Sequence, residues 1–310
     1  MAMKNMIHRF DIPVDCAGVC GRGEGAIYYD HGMIALPDSY SERGKPTRLV
    51  ISCHGAGGTV TTNDSQIESQ ELTKYLLANG YAVMDMNGLP AELAAEAGIN
   101  IRNNIGSPIA VQSYRRAYHY CMDRFNLYRE VFVHGGSMGG ISSTNLVMSE
   151  SIPVIAQSGF CPVLDTKYQI FEHPWSGGLP RRALGLLYGL EIDGYGEFIY
   201  DEDKVRGYNP MGHISLVDGR ELLSYPVPVK FWQCEDDGVV SIECTRRFVA
   251  AIKNAGGEAC LCTLECGGHE PQLYGESLDA PAGKTVFCGE TLEIKPAVEG
   301  VFLWIKSFDF

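Results

Sequence analysis

The sequence contains no apolar run of the roughly 20 residues needed to cross a bilayer. It also lacks any cluster of lysine and arginine: 25 basic residues stand against 38 acidic ones, a formal charge of -13. Neither nucleic acid nor an anionic membrane attracts an acidic protein, so both are excluded as non-specific partners. Internal repeats and low-complexity tracts are absent, which removes repeat arrays from consideration. The first ten residues, Met1 to Phe10, carry no sustained apolar segment after Lys4. No cleaved export signal is therefore expected, and the protein is expected to be soluble and cytoplasmic. Cysteine is not scarce, but its number, 11, is odd, and the chain is too long to need covalent staples. Free thiols in a reducing compartment are the expectation.

What is present suits a globular α/β protein. A 310-residue chain with 45% hydrophobic residues can bury a large core, as one α/β domain with an insertion or as two smaller domains. Apolar patches at 6–15 and 32–37 read as edge strands joined by the glycine-rich segment Gly18 to Gly25. That segment is not a dinucleotide fingerprint, because no buried strand feeds it and no helix pattern follows. Arg48 to Cys53, Tyr81 to Met86, Val131 to Val133, Ser151 to Ser158, Pro226 to Gln233 and Glu258 to Glu265 read as buried strands. Between them, Ile67 to Leu77, Ile109 to Phe125 and Ile242 to Ala255 have helical spacing. Ser107 is the expected N-cap of the second helix, with Pro108 at its first position. Strands alternating with helices predict a doubly wound, mostly parallel sheet. The rhythm weakens from Cys161 to Tyr225, too long a stretch for a simple connection, and an inserted cap is expected there. The resulting division is 1–160 for the first part of the core, 161–225 for the cap and 226–310 for the second part. A hairpin over Thr285 to Ile294 and a last helix over Val301 to Phe308 complete the reading.

The chemistry concentrates around Val131-Phe132-Val133-His134-Gly135-Gly136-Ser137-Met138-Gly139-Gly140, a strand, a small-residue turn and the start of a helix. Gly135 to Gly139 fits G-x-S-x-G, in which a sharp turn projects the serine hydroxyl away from the sheet. A serine hydroxyl needs a base, and an imidazole oriented by a carboxylate supplies one near neutral pH. Ser137, Asp237 and His269 each follow a different expected strand, at the carboxyl ends where an open α/β sheet forms its crevice. Glu235 and Asp236 compete with Asp237 for the carboxylate role. His54 is read as shaping a loop, and His134 as packed or supporting. Cys260, Cys262 and Cys266 are close in sequence but fit ordinary strand packing, so no metal is expected. Cys53 and Cys234 are expected to approach the crevice.

Taken together, these segments resemble the α/β-hydrolase-fold serine hydrolases, particularly the esterases that border the prolyl-oligopeptidase-like enzymes. His54-Gly55-Ala56-Gly57-Gly58 is similar to the first oxyanion loop and Gly135 to Gly139 to the nucleophile elbow. Asp237-Gly238-Val239-Val240 is similar to the acid turn, and Gly267-Gly268-His269 to the histidine loop. The resemblance implies Ser137 as nucleophile, His269 as general base and then acid, and Asp237 as orienting carboxylate. It also implies an oxyanion hole from the backbone N–H groups of Met138 and Ala56, with Gly55 or Gly57 replacing Ala56 in another loop register. No cofactor is implied. The leading expectation is hydrolysis of a soluble carboxylic ester, a small-acyl or carbohydrate ester, through an acyl-serine. Asn103, Asn104 and the cap aromatics Trp175 and Tyr208 are the candidates for recognising the alcohol. The alternatives are a serine peptidase acting on short peptides and a noncatalytic ligand-binding protein with a hydrolase fold. Oligomeric state is not legible in the sequence.

Overall fold

In the computed structural model, which describes residues 6–60, 70–173, 178–270, 283–287, 290–294 and 296–308, the chain opens with an antiparallel hairpin. Its strands are β1 (Met6–Asp15) and β2 (Ile27–Leu36), and the glycine-rich segment is their connection. β2 begins five residues earlier than its apolar pattern predicts. Ile27 and Tyr29 are 50% and 60% exposed, so backbone pairing with β1 rather than burial extends the strand. β2 is also not an edge, because its other side pairs antiparallel with β4.

There follow β3 (Leu49–Cys53), α1 (Glu71–Ala78), β4 (Ala82–Met86), α2 (Ala91–Ala97), α3 (Pro108–Arg124), β5 (Val131–Gly136), α4 (Gly139–Met148) and β6 (Val154–Phe160). The sequence pattern does not reveal α2, which has only two buried side chains, Leu93 and Ala94. Ser107 caps α3 as expected, its Oγ accepting from Ala110 N–H at 3.3 Å, with Pro108 at the first turn. Pro153 lies just before β6, where its missing donor costs no ladder bond.

Between β6 and the next core strand run α5 (Gly178–Leu187), α6 (Glu202–Val205) and a small hairpin, β7 (Ser215–Val217) with β8 (Arg220–Leu222). β9 (Val229–Cys234), α7 (Ile242–Asn254) and β10 (Ala259–Leu264) resume the alternation. A hairpin of β11 (Gly283–Phe287) and β12 (Glu290–Ile294) precedes α8 (Pro296–Lys306), which starts five residues before the expected position with Pro296 at its first position.

The eight main strands form one mixed sheet in the order β1-β2-β4-β3-β5-β6-β9-β10, parallel from β4 onward. Successive side chains of a strand point to opposite faces, and the core splits accordingly. Leu49, Ile51, Met84, Val131, Val133 and Phe231 join Tyr114 and Cys121 of α3, Ile141 of α4 and Phe248 of α7. Val50, Val83, Phe132 and Trp232 join Leu72 and Leu76 of α1 with Val301 and Phe302 of α8. Helices thus cover both faces, which is the doubly wound arrangement, and it leaves the carboxyl ends of the parallel strands to form the crevice. The ten described cysteines are free thiols. No helix among the described residues is long and apolar enough to cross a membrane.

Candidate active site

Ser137 occupies the turn between β5 and α4 with φ 53, a left-handed conformation that few residues other than glycine adopt. Three backbone bonds hold it there. Its N–H donates to Phe160 O at 2.9 Å, and its carbonyl accepts from Gly140 N–H and Val163 N–H, each at 2.9 Å. The neighbouring glycines allow the strand and helix to close on each other. A Cβ on Gly139 would lie 1.9 Å from Cys53 O, and one on Gly135 would lie 2.3 Å from Gly139 O. Both contacts are with backbone, so no side-chain movement relieves them.

Asp237 follows β9. Its Oδ1 accepts from Val239 N–H at 2.9 Å and Val240 N–H at 3.0 Å, and its Oδ2 accepts from Gln233 Nε2 at 3.1 Å. Gln233 is fixed in turn, donating to Val240 O at 2.9 Å and accepting from Thr245 Oγ1 at 2.6 Å. Both Asp237 oxygens are 3.1 Å from His269 Nδ1. Burial pushes the Asp237 carboxyl up, but the hydrogen bond from His269, the backbone donors and the imidazole's charge outweigh it and hold the group below its ordinary range. Asp237 is therefore ionised at neutral pH. That places the proton of a neutral His269 on Nδ1 and leaves Nε2 to accept from Ser137 Oγ–H at 2.9 Å.

The two competing carboxylates have other work. Asp236 accepts from Gly267 N–H and Gly268 N–H at 3.3 and 2.7 Å, tying down the loop that carries His269. Glu235 pairs with Arg246 at the surface.

The loop after β3 lies against the serine. A Cβ on Gly55 would be 3.3 Å from Ser137 Cβ. Gly58 N–H closes a turn on Gly55 O at 2.9 Å, a bond that does not consume the Ala56 and Gly57 N–H groups. Met138 stands at the N-cap of α4, where the helix's first N–H groups have no intrahelical acceptor. Ala56, Gly57, Ser137, His269, Glu71 and Glu270 all line one cavity of about 400 Å³.

Other expected residues lie elsewhere. Asn104 is fully buried. Its Nδ2 donates to Asn87 O at 2.9 Å, while its Oδ1 accepts from Gly106 N–H at 3.1 Å and from Ser142 Oγ at 2.9 Å. Asn103 is 7% exposed, in a turn closed by its N–H on Asn100 O. Neither lines the cavity that holds Ser137 and His269. Tyr208 is also absent from the lining and packs against Tyr188. Trp175 lies outside the described residues.

Two histidines and several cysteines surround this arrangement. His54 is buried with its Nδ1 3.0 Å from Asp85 Oδ2, and Tyr114 OH donates to Asp85 Oδ1 at 2.7 Å. Burial pulls the His54 imidazole down, yet the Asp85 charge and hydrogen bond raise it overall. His134 is held at 2.9 Å from Ser158 Oγ and kept neutral by burial, its pKa lowered from 6.5 to about 3. Of the cysteines, Cys53 lines the cavity as expected and Cys234 does not, whereas Cys161 stands beside His269. Cys161 follows β6, the parallel neighbour of β5, and the strand-end rule would have identified it.

Solved structures share this framework. Puromycin hydrolase matches with a TM-score of 0.59 at 18% identity, over 85% of this chain and 36% of that one. The chain has the α/β-hydrolase fold. A puromycin-hydrolyzing peptidase of Mycobacterium tuberculosis aligns with a TM-score of 0.57 at 18% identity over 84% of this chain and 36% of its own length. The acylaminoacyl peptidase of Pyrococcus horikoshii gives 0.57 at 13% identity, over 87% and 39%. This chain thus spans 36% to 39% of the length of these larger chains. No protein-family model and no curated protein matches the sequence. Its core shares the fold of these hydrolases and peptidases.

Proposed function

We propose that the protein is a serine hydrolase of peptidase type, cleaving short peptides or related amides through an acyl-Ser137 intermediate. The observation that carries the reading is the unbroken relay from Ser137 Oγ to His269 Nε2 at 2.9 Å and from His269 Nδ1 to Asp237 at 3.1 Å. Ser137 attacks the carbonyl while His269 takes its proton, and the N–H groups of Met138 and Ala56 receive the oxyanion. His269 then protonates the departing amine, and water releases the acyl group. A cavity of about 400 Å³ suits a substituent of a few residues at most. In this reading residues 161–225 act as the cap, and the free thiols fit a reducing, cytoplasmic setting.

Peptide cleavage is placed before ester cleavage because solved structures that share the fold include peptidases, whereas the residues that favoured a carbohydrate ester, Asn103 and Asn104, are absent from the cavity lining. The test is labelling with a small fluorophosphonate, read by intact mass and peptide mapping, followed by matched peptide and ester substrate panels. A single adduct on Ser137, lost in Ser137→Ala, with turnover of peptides is the expected result. Folded protein that takes up no adduct would sink the hydrolase reading. Turnover of esters alone would restore the ester reading.

A further inference from the structure

Cys161 has no part in acyl transfer, yet its Sγ lies 3.9 Å from His269 Nε2, the nitrogen that faces Ser137 Oγ. Its placement is fixed by φ 37, by Cys161 N–H donating to Trp232 O at 2.8 Å, and by Sγ reaching His269 O at 3.5 Å. It lines the same cavity as Ser137. A thiol, an imidazole nitrogen and a hydroxyl therefore converge on one point that solvent can reach.

We infer that Cys161 Sγ and His269 Nε2 form a site for a thiophilic divalent cation of the zinc class, with Ser137 Oγ or water completing its coordination. A tetrahedral zinc, with Zn–S about 2.3 Å and Zn–N about 2.0 Å, separates sulfur and nitrogen by ~3.5 Å. The observed 3.9 Å needs a shift of only a few tenths of an ångström. Asp237 Oδ1 belongs to the same cluster of ligand-type atoms but is better placed as support than as ligand. Its two oxygens already accept from Nδ1–H, Val239, Val240 and Gln233, and a carboxylate on the far nitrogen is the usual partner of a zinc-bound histidine. Among the described residues, Glu71 and Glu270 line the cavity and no lysine or arginine does. Burial pushes the Cys161 thiol well up, with the Asp237 charge adding to it. Binding therefore releases the Sγ proton to solvent as the metal–sulfur bond forms, with no change of oxidation state. The cation occupies the Nε2 lone pair that would otherwise take the Ser137 proton. Given the hydrolase reading above, the site is an off-switch that a chelator reverses.

The test uses the full chain in a non-chelating buffer. Zinc chloride at a small molar excess should slow fluorophosphonate labelling of Ser137 by about 10-fold or more, and EDTA should restore it. In Cys161→Ala and Cys161→Ser, each compared with its own zinc-free rate, the effect should shrink to about 2-fold or less. Cobalt chloride, read by absorbance, should give a thiolate-to-cobalt charge-transfer band in the wild type and in Ser137→Ala, lost in Cys161→Ala and weakened in His269→Ala. Equal zinc inhibition with and without Cys161, or a band indifferent to Cys161, overturns the site. Should Ser137 prove unreactive without zinc, the hydrolase reading fails, and the cobalt band alone still decides the cation site.

Discussion

Replacing Asp237 by asparagine changes one atom and reverses the logic of the site. Every group that faces the Asp237 side chain is a donor: Val239 N–H and Val240 N–H on Oδ1, Gln233 Nε2 on Oδ2, and His269 Nδ1 against both. An asparagine keeps one acceptor. With its oxygen toward the two backbone donors, its NH2 meets the NH2 of Gln233. That glutamine cannot flip, because Val240 O takes its Nε2 and Thr245 Oγ1 donates to its Oε1. The NH2 also faces His269 Nδ1, which then accepts, so the imidazole carries its proton on Nε2 and cannot receive the one from Ser137. A wrong tautomer in an otherwise intact triad costs roughly 10⁴-fold in rate, about 5 kcal/mol of transition-state stabilisation. The second-order rate of fluorophosphonate labelling at Ser137 measures this without knowledge of the substrate. Circular dichroism and a urea midpoint close to the wild type would show that the fold persists. A folded Asp237→Asn variant that labels within about 10-fold of the wild type would refute the argument, since one of the other carboxylates would then be orienting His269.

Two further expectations concern residues outside the triad. Asn104→Ala leaves Asn87 O, Gly106 N–H and Ser142 Oγ without their buried partner, and should lower stability by about 2–4 kcal/mol in urea unfolding. A raised KM with unchanged stability would instead return Asn104 to substrate recognition. His134 stays neutral in the fold to about pH 3 while the unfolded chain protonates it near 6.5, so its contribution is complete above about pH 6.5 and declines as the pH falls toward 3. At pH 5 this amounts to about 2 kcal/mol. His134→Gln, which can keep a hydrogen bond to Ser158, should lose about that much less stability than the wild type between pH 7 and pH 5 in urea titrations. Identical pH profiles for the two proteins would show that His134 does not carry the effect.

Much of the fold was legible because burial writes itself into local pattern. The parallel strands β3, β4, β5, β6 and β9 are short apolar runs flanked by turn residues, and α3 carries its cap in Ser107-Pro108. Elements that depend on distant partners were not legible. The exposed start of β2 exists because β1 is paired with it, and α2 has too few buried positions to set a period. The same division runs through the site. Ser137, Asp237 and His269 each sit in a local turn whose composition is distinctive. Gln233, Asp236 and Cys161 matter only through what they face, and that information is not in their neighbours along the chain.

The sequence by itself determined an acidic α/β chain with no bilayer-length apolar run, together with a serine turn, an acid turn and a histidine loop in that order. Backbone preference and side-chain period are properties of a few adjacent residues, so they survive in one dimension. Only the tertiary structure decided that Asn104 braces a loop rather than facing the cavity, that Asp237 rather than Asp236 meets His269, and that a cysteine stands beside the His269 imidazole. Those outcomes rest on contacts between residues 17 to 108 positions apart, made by strands that the twisted sheet brings side by side.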